Sequence, residues 1–224
     1  MKYLAFGKLD AFSLKIIALA AMAIDHVGSS LLDDNLVCDI IGRIAFPIFS
    51  FLIVESFFYT KNRRKFIQRL AIFAFISEIP FDLGIYHMLI YVLHQNVMFT
   101  LLLGVVMMTL AEKAKHPAVK CVIAAAFCAL AWLIKCDYGY FGIIIIFIFY
   151  IFKDNIITAF ATYSLANIAI RWGTTQVYSI AAFAFIGLYN GKTGIKRLKY
   201  MFYVFYPAHL LVIYILYRVF KQEV

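Results

Sequence analysis

Residues 13–32 read SLKIIALAAMAIDHVGSSLL, an apolar run long enough to cross a bilayer as one helix, since about 20 residues span the hydrocarbon core. Asp25 and His26 lie inside this run. Ionisable side chains are costly at such a depth and pair with one another or line a cavity, which makes them candidates for function. The run is not a cleaved signal peptide, because Asp33 and Asp34 follow it without a small-residue cleavage pattern.

The composition places the whole chain in the same class. Of its 224 residues, 65% are hydrophobic and 15% are charged, and the mean hydropathy is +0.89. A soluble domain has about 45–50% apolar and about 25% charged residues. These values exclude a secreted disulfide scaffold, a disordered chain and an ordinary cytosolic domain, and they predict an all-α, polytopic integral membrane protein.

Apolar runs along the chain predict about nine transmembrane helices, with a range of about eight to ten, around a polar intramembrane pocket. We expect a single domain over residues 1–224. The predicted helices are 13–32, 36–59, 66–86, 91–111, 118–134, 139–152, 156–170, 175–190 and 200–218.

The charge pattern predicts an orientation. The formal net charge is +9, and most of the 21 Lys and Arg residues share one side of the membrane if the N-terminus is cytoplasmic, as the positive-inside rule requires. No basic run alternates with stacking aromatic residues. We therefore expect the lipid bilayer, and no nucleic acid, as the environment of these charges.

Five polar residues share one depth in the predicted membrane. At a rise of about 1.5 Å per residue, four of them lie roughly 20 Å from the cytoplasmic face and the fifth lies about 14 Å from it. They are His26, Arg43, Glu78, Asn96 and, nearer the cytoplasm, His209. Five polar side chains from five helices in one slab indicate a shared internal pocket.

His26 has two interpretations. A histidine near its unperturbed pKa of about 6.5 accepts and returns a proton at physiological pH. The alternative is a histidine that only hydrogen-bonds a neighbouring helix. Adjacent helical residues point about 100° apart, so Asp25 need not touch His26, and Glu78 is another carboxylate that can orient the imidazole.

Arg43 also has two interpretations. Pro47 has no N–H and therefore leaves the Arg43 carbonyl without its helical partner. The guanidinium suits bidentate binding of a carboxylate or phosphate, and the alternative is an ion pair with Glu78 or Asp25. Pro80 marks a second kink, next to Glu78.

Short basic loops are suited to the phosphates of a nucleotide-like cofactor, although from the residues alone we favour topogenic charge and attraction to anionic headgroups. The basic residues in question are Lys61, Arg63, Arg64, Arg69, Lys192, Lys196 and Arg197. Asp137, in a predicted outer hairpin, favours either a turn or a substrate contact. No metal is expected, because the histidines are spread one to a helix without an H-E-x-x-H motif.

Several segments resemble those of the TraX-type membrane acetyltransferases, in the order of that family and over about residues 9–217. They are LKIIALAAMAIDH at 14–26, GRIAFPIF at 42–49, RL at 69–70, SEIPFD at 77–82, QNV at 95–97, DYG at 137–139, YNGK at 189–192 and FYVFYPAHL at 202–210.

This resemblance implies an acyl-CoA-dependent acetyltransferase of the bacterial cytoplasmic membrane. It would move acetyl from cytoplasmic acetyl-CoA to an amine, such as the N-terminus of a pilin, which is the substrate of the type member. It also implies kinship with a wider class of transmembrane acyltransferases, whose acceptors lie at the other face. Open alternatives are O-acetylation of a sugar or envelope component and a small-molecule transporter or flippase.

On this hypothesis His26 is a general base or a transient carrier of the acetyl group, and Asp25 or Glu78 orients it. Arg43 and Asn96 would stabilise charge on the thioester oxygen or position the acceptor. The remaining predicted substrate contacts are Asp82, Asp137, Tyr206 and His209. The basic loops would meet the phosphates of CoA.

Overall fold

The computed structural model describes residues 7–195 and 199–221. These residues form an all-helical bundle, and their only extended pairings are isolated bridges between Leu9 and Tyr189 and between Gln95 and Cys136. The α-helices are α1 (Ala11–Leu31), α2 (Leu36–Gly42), α3 (Ala45–Tyr59), α4 (Arg63–Phe81), α5 (Val97–Ala111), α6 (Pro117–Leu133), α7 (Gly139–Ile151), α8 (Ile156–Arg171), α9 (Ala182–Ile186) and α10 (Lys199–Lys221). A π-helical turn, Asp82–Tyr86, follows α4, and a 3-10 helix, Thr175–Ala181, precedes α9.

The second predicted span is broken where the sequence places a proline. The helix α2 ends at Gly42 and α3 begins at Ala45. Pro47 cannot donate to the Arg43 carbonyl, so the chain turns at Arg43 before the helix resumes. The break leaves Arg43 at the C-cap of α2. Most residues of α3 are buried, and this helix packs against α1, α5, α7 and α9 at the centre of the bundle.

The fourth predicted span starts later than expected. The apolar run predicts a helix over 91–111, but α5 begins at Val97. Asn96 caps α5 by accepting a hydrogen bond from the Met98 backbone N–H, and the Asp82 carboxylate accepts the backbone N–H of Tyr91. These side-chain hydrogen bonds hold residues 87–96 as a loop.

The helices alternate in direction, which gives the bundle two ends. One end, which we call the basic end, carries the loops 60–62, 112–116, 152–155 and 187–195, and the opposite end carries the loops 32–35, 87–96, 134–138 and 172–174. Arg63 pairs with Glu112 across the basic end. Lys221 pairs with Asp33 across the opposite end.

Within the part of the chain that the structure describes, three helical segments are both long and apolar enough to span a bilayer, namely Ala11–Leu31, Leu36–Tyr59 and Met201–Lys221. The apolar helices Val97–Ala111, Pro117–Leu133, Gly139–Ile151 and Ile156–Arg171 are shorter than the length usually needed, and so is the combined Thr175–Ile186. The helical fold class and its apolar character are therefore confirmed, while the count of about nine spans stays a prediction.

Candidate active site

Two histidines from the first and last helices meet inside the bundle. Nδ1 of His26 on α1 lies 2.8 Å from Nε2 of His209 on α10. Nδ1 of His209 lies 2.8 Å from the backbone oxygen of Phe205, one turn earlier on the same helix. The structure thus places a histidine, and not the predicted carboxylate of Asp25 or Glu78, against this nitrogen of His26.

The chain of hydrogen bonds assigns the protons of the neutral pair. The Phe205 carbonyl only accepts, so Nδ1 of His209 must carry its proton. Nε2 of His209 then has a lone pair and accepts from the Nδ1–H of His26. His26 is left with its lone pair on Nε2, which is the atom that a general base needs. His26 lines a cavity of about 200 Å³.

Arg43 lies between two carboxylates. Its guanidinium donates to Asp25 at 3.1 Å and also pairs with Asp39, one turn earlier on α2. Asp25 and Arg43 line the same cavity as His26. The predicted ion pair with Asp25 is present in the structure, while a substrate contact of Arg43 stays a prediction. A β-carbon at Gly42 would lie 2.3 Å from that of Asp25, so only glycine permits this approach of α2 to α1.

Glu78 and Asn96 bind each other and join α4 to α5. The Asn96 amide nitrogen donates to the Glu78 carboxylate and, at 2.8 Å, to the carbonyl of Ala74. Its oxygen caps α5 through the backbone N–H of Met98 at 3.0 Å. Asn96 is fully buried. Neither residue lines the cavity that contains His26, so their observed contacts hold two helices together.

Asp82 is also buried away from the cavity. Its Oδ2 accepts the backbone N–H of Tyr91 at 2.7 Å, while Oδ1 has no hydrogen-bond partner in the described part of the chain. This carboxylate therefore orders the loop 87–96. Asp137, by contrast, lines the cavity with His26 and also lies in the turn before α7, so its role as a substrate contact stays a prediction.

The cavity also contains His94, which lies nearer the opposite end of the bundle and was not among the predicted site residues. Nδ1 of His94 lies 2.9 Å from the hydroxyl of Tyr86, and Nε2 lies 4.0 Å from Oδ1 of Asp137. All three residues line the cavity, together with Tyr138. Burial raises the pKa of the Asp137 carboxyl, while attraction to His94 and Arg43 opposes that rise. The only feature of the sequence that pointed to His94 was its position directly before QNV at 95–97, one of the segments that carry the family resemblance.

A second, larger cavity of about 340 Å³ extends from the basic end. Lys15, Arg69 and Thr193 line it there, and Tyr206 lines it deeper in the bundle. Tyr206 is buried, and its ring centre lies 6.5 Å from that of His26. Three apolar side chains belong to the walls of both cavities, and these are Met22, Phe49 and Val97.

The residues predicted to bind the cofactor differ in whether they line the larger cavity. Arg69 lines the larger cavity, and its Nε is buried without a hydrogen-bond partner in the described residues. Arg63 is engaged by Glu112 and lies over the ring of Phe57 at 4.1 Å. Lys61, Arg64 and Lys192 are exposed and do not line this cavity, while Lys196 and Arg197 lie outside the described residues.

The fold and this site define an all-helical protein with apolar helices of bilayer length and a histidine pair beside an internal cavity. The chain belongs to the TraX family, since the family described as TraX protein matches residues 11–217. The family predicted from the sequence is thereby confirmed. The chain is 26% identical over 230 residues to a protein of Dichelobacter nodosus named probable fimbrial assembly protein FimC, serogroup H1. That match covers 90% of this chain and 93% of the relative. No solved structure matches the chain.

Proposed function

We propose that this chain is a multi-pass acetyltransferase of the bacterial cytoplasmic membrane, which transfers acetyl from cytoplasmic acetyl-CoA to an amine. The observation that carries the proposal is the 2.8 Å contact of His26 Nδ1 with His209 Nε2, because the hydrogen-bond partners of His209 then leave the lone pair of His26 on Nε2. The two cavities that approach this histidine are separated by a wall of three apolar side chains.

The larger cavity suits the donor. With the N-terminus in the cytoplasm, the basic end faces the cytoplasm, as the positive-inside rule favours. The mostly apolar wall suits a pantetheine arm, and Lys15 and Arg69 near its basic end suit phosphate groups. Arg69 is the better placed of the predicted cations, because its Nε has no protein partner in the described chain.

The smaller cavity suits an amine acceptor. Its wall contains the carboxylates of Asp25 and Asp137 and one guanidinium, that of Arg43. Arg43 also pairs with Asp39, so three carboxylates lie in or beside this cavity against one guanidinium. Carboxylates that outnumber the cations favour an ammonium group over a neutral hydroxyl. The name of the D. nodosus relative supports a fimbrial subunit as the protein that supplies this amine.

With His26 as the general base, the bonds and protons of the acetyl transfer balance. The acceptor nitrogen attacks the thioester carbonyl carbon, and its N–H proton passes to Nε2 of His26. The C–N bond forms, the C–S bond breaks, and the CoA thiolate takes the same proton back. Met22, Phe49 and Val97 line both cavities, and movement of these side chains would bring donor and acceptor together. In a ping-pong route the acetyl group would first occupy Nε2 of His26.

The test is thiol release from acetyl-CoA by the full chain purified in detergent, with a panel of peptide α-amines as acceptors. His26→Gln should lower acceptor-dependent release by about 10²- to 10⁴-fold, the usual contribution of a general base. The matched control is His116→Gln, because His116 is exposed in a loop of the basic end. Unimpaired release by folded His26→Gln protein would refute the assignment.

A second measurement separates the enzyme from a transporter. Acetyl-CoA should raise the melting temperature of the wild-type protein, because a ligand that binds the native state stabilises it. Absence of both thiol release and thermal stabilisation would favour a transporter.

A further inference from the structure

The inference concerns the residues around His94, which lie in the same cavity as His26 but closer to the opposite end of the bundle. The Tyr86 hydroxyl lies 2.9 Å from Nδ1 of His94, and Asp137 faces Nε2 at 4.0 Å. His94 is partly exposed, with 34% of its side chain accessible, so this imidazole reaches both the cavity and the solvent of the opposite end. His94 can therefore exchange protons with that solvent.

The charges that face His94 come from separate elements. Asp82, at the end of α4, and Asp137, before α7, both interact electrostatically with its imidazole. Tyr86 of the π-helical turn bonds it, and Tyr91 stacks on Tyr86 with 4.0 Å between ring centres. Two carboxylates thus face a ring that gains positive charge whenever it takes a proton. Across the cavity, Arg43 and Asp25 complete the charged wall.

The environment of His26 differs from that of His94. Its Nδ1 bonds the neutral Nε2 of His209, and Arg43 on the cavity wall is held between Asp25 and Asp39. The cavity therefore contains one histidine that faces a carboxylate directly and one whose ring nitrogen faces another imidazole.

The proposed reaction needs two proton acceptors. An amine arrives mainly as an ammonium ion near neutral pH, since an α-amino group has a pKa of about 7.7–8.0 and a lysine side chain about 10.4. The ammonium has no lone pair, so it must lose one proton before it attacks the thioester. It loses another as the amide forms, and Nε2 of His26 accepts one proton at a time.

We propose that His94, held by Tyr86 and facing Asp137, removes the first proton from the acceptor ammonium and releases it to the solvent at the opposite end. The inference rests on the proposed amine acetylation. The steps balance: the ammonium gives one proton to His94 and becomes an amine, and the amine gives the next to His26 as the C–N bond forms. The thiolate takes the proton from His26, and the net products are an amide, CoA thiol and one proton.

The experiment compares two acceptors on the full chain in detergent. The first is a peptide α-amine, and the second is an aromatic amine that is uncharged at neutral pH. His94→Gln should slow acetylation of the peptide amine about 10²-fold at pH 7 and leave the aromatic amine within about twofold. The defect should shrink as the pH rises above the pKa of the peptide amine, because the free amine then needs no deprotonation.

Two further variants complete the design. Asp137→Asn should reproduce the selective loss more weakly, and the exposed His116→Gln should behave as wild type with both amines. An equal loss with both amines would show that His94 has only a structural role and would overturn the inference. Wild-type rates in His94→Gln with the peptide amine at pH 7 would also overturn it.

The proposed function is tested separately by the same assay. Thiol release by the wild type with the aromatic amine, lost in His26→Gln, would establish acetyl transfer whatever His94 does. Silence of the wild type with both amines would refute the acetyltransferase proposal, and the role of His94 with it.

Discussion

Replacement of His209 tests the proton assignment of the histidine pair most directly. In the structure, Nε2 of His209 accepts the Nδ1–H of His26 at 2.8 Å, because the Phe205 carbonyl holds the other nitrogen of His209 at 2.8 Å. His209→Leu removes this acceptor and keeps an apolar side chain of similar reach on α10. The Nδ1–H of His26 then lacks its partner inside the bundle.

The magnitude follows from the cost of an unsatisfied buried donor. Leaving a buried N–H without an acceptor costs about 1–3 kcal/mol. His26 escapes this cost by moving its proton to Nε2, and that change removes the basic lone pair from this nitrogen. Since about 1.36 kcal/mol corresponds to a tenfold change in rate, kcat should fall about 5- to 160-fold. The upper end of that loss only reaches the lower end of the roughly 10²- to 10⁴-fold loss expected for His26→Gln.

The assay is acceptor-dependent thiol release at saturating acetyl-CoA, with kcat and KM measured separately. His209→Gln is the matched variant, because its carboxamide oxygen can accept the Nδ1–H of His26, and it should recover most of the lost kcat. Nitrogen NMR of histidine-labelled protein should show unprotonated Nε2 in His26 of the wild type and protonated Nε2 in His209→Leu. That signature distinguishes positioning from a general loss of packing.

The reasoning would be refuted by wild-type kcat in His209→Leu protein that is folded. It would also be refuted if the tautomer of His26 were the same in both proteins while kcat differed, because the hydrogen bond would then not act through the proton position.

Two other substitutions test the donor cavity and the helix packing beside Asp25. Arg69→Met should raise the KM for acetyl-CoA about tenfold or more, because a hydrogen bond to a charged group contributes about 1.5–3 kcal/mol. The control is Arg64→Met at an exposed position, which should leave this KM unchanged. Equal effects of the two substitutions would show that the phosphates bind elsewhere. Gly42→Ala should lower the free energy of unfolding by about 1–3 kcal/mol, since its β-carbon would lie 2.3 Å from that of Asp25, and an unchanged thermal unfolding curve would contradict this packing.

Hydropathy was sufficient to predict most of the helices. The predicted 118–134, 139–152 and 156–170 correspond to Pro117–Leu133, Gly139–Ile151 and Ile156–Arg171. The departure at residues 91–96 has a local cause, because Asp82 and Asn96 use side-chain oxygens to hold a loop through an apolar segment. Apolar residues alone do not distinguish such a loop from the start of a helix.

The site was only partly predictable. The depth argument selected His26, Arg43 and His209, which all belong to the cluster, because depth follows from the rise per residue. It also selected Glu78 and Asn96, which bind each other and face away from both cavities. Depth states how far along the membrane normal a residue lies and leaves the rotation of its helix undetermined.

The sequence by itself determined the class of the protein, most of its helices and the presence of an ionisable pair at Asp25 and His26 inside an apolar run. Only the tertiary structure decided the partners. His26 meets His209 across 183 residues of chain, and Asp25 meets Arg43 because Gly42 lets α2 approach α1. The physical reason is that hydropathy averages the environment around a helix, whereas a hydrogen bond depends on the rotation and separation of two helices, which the packing of the whole bundle sets.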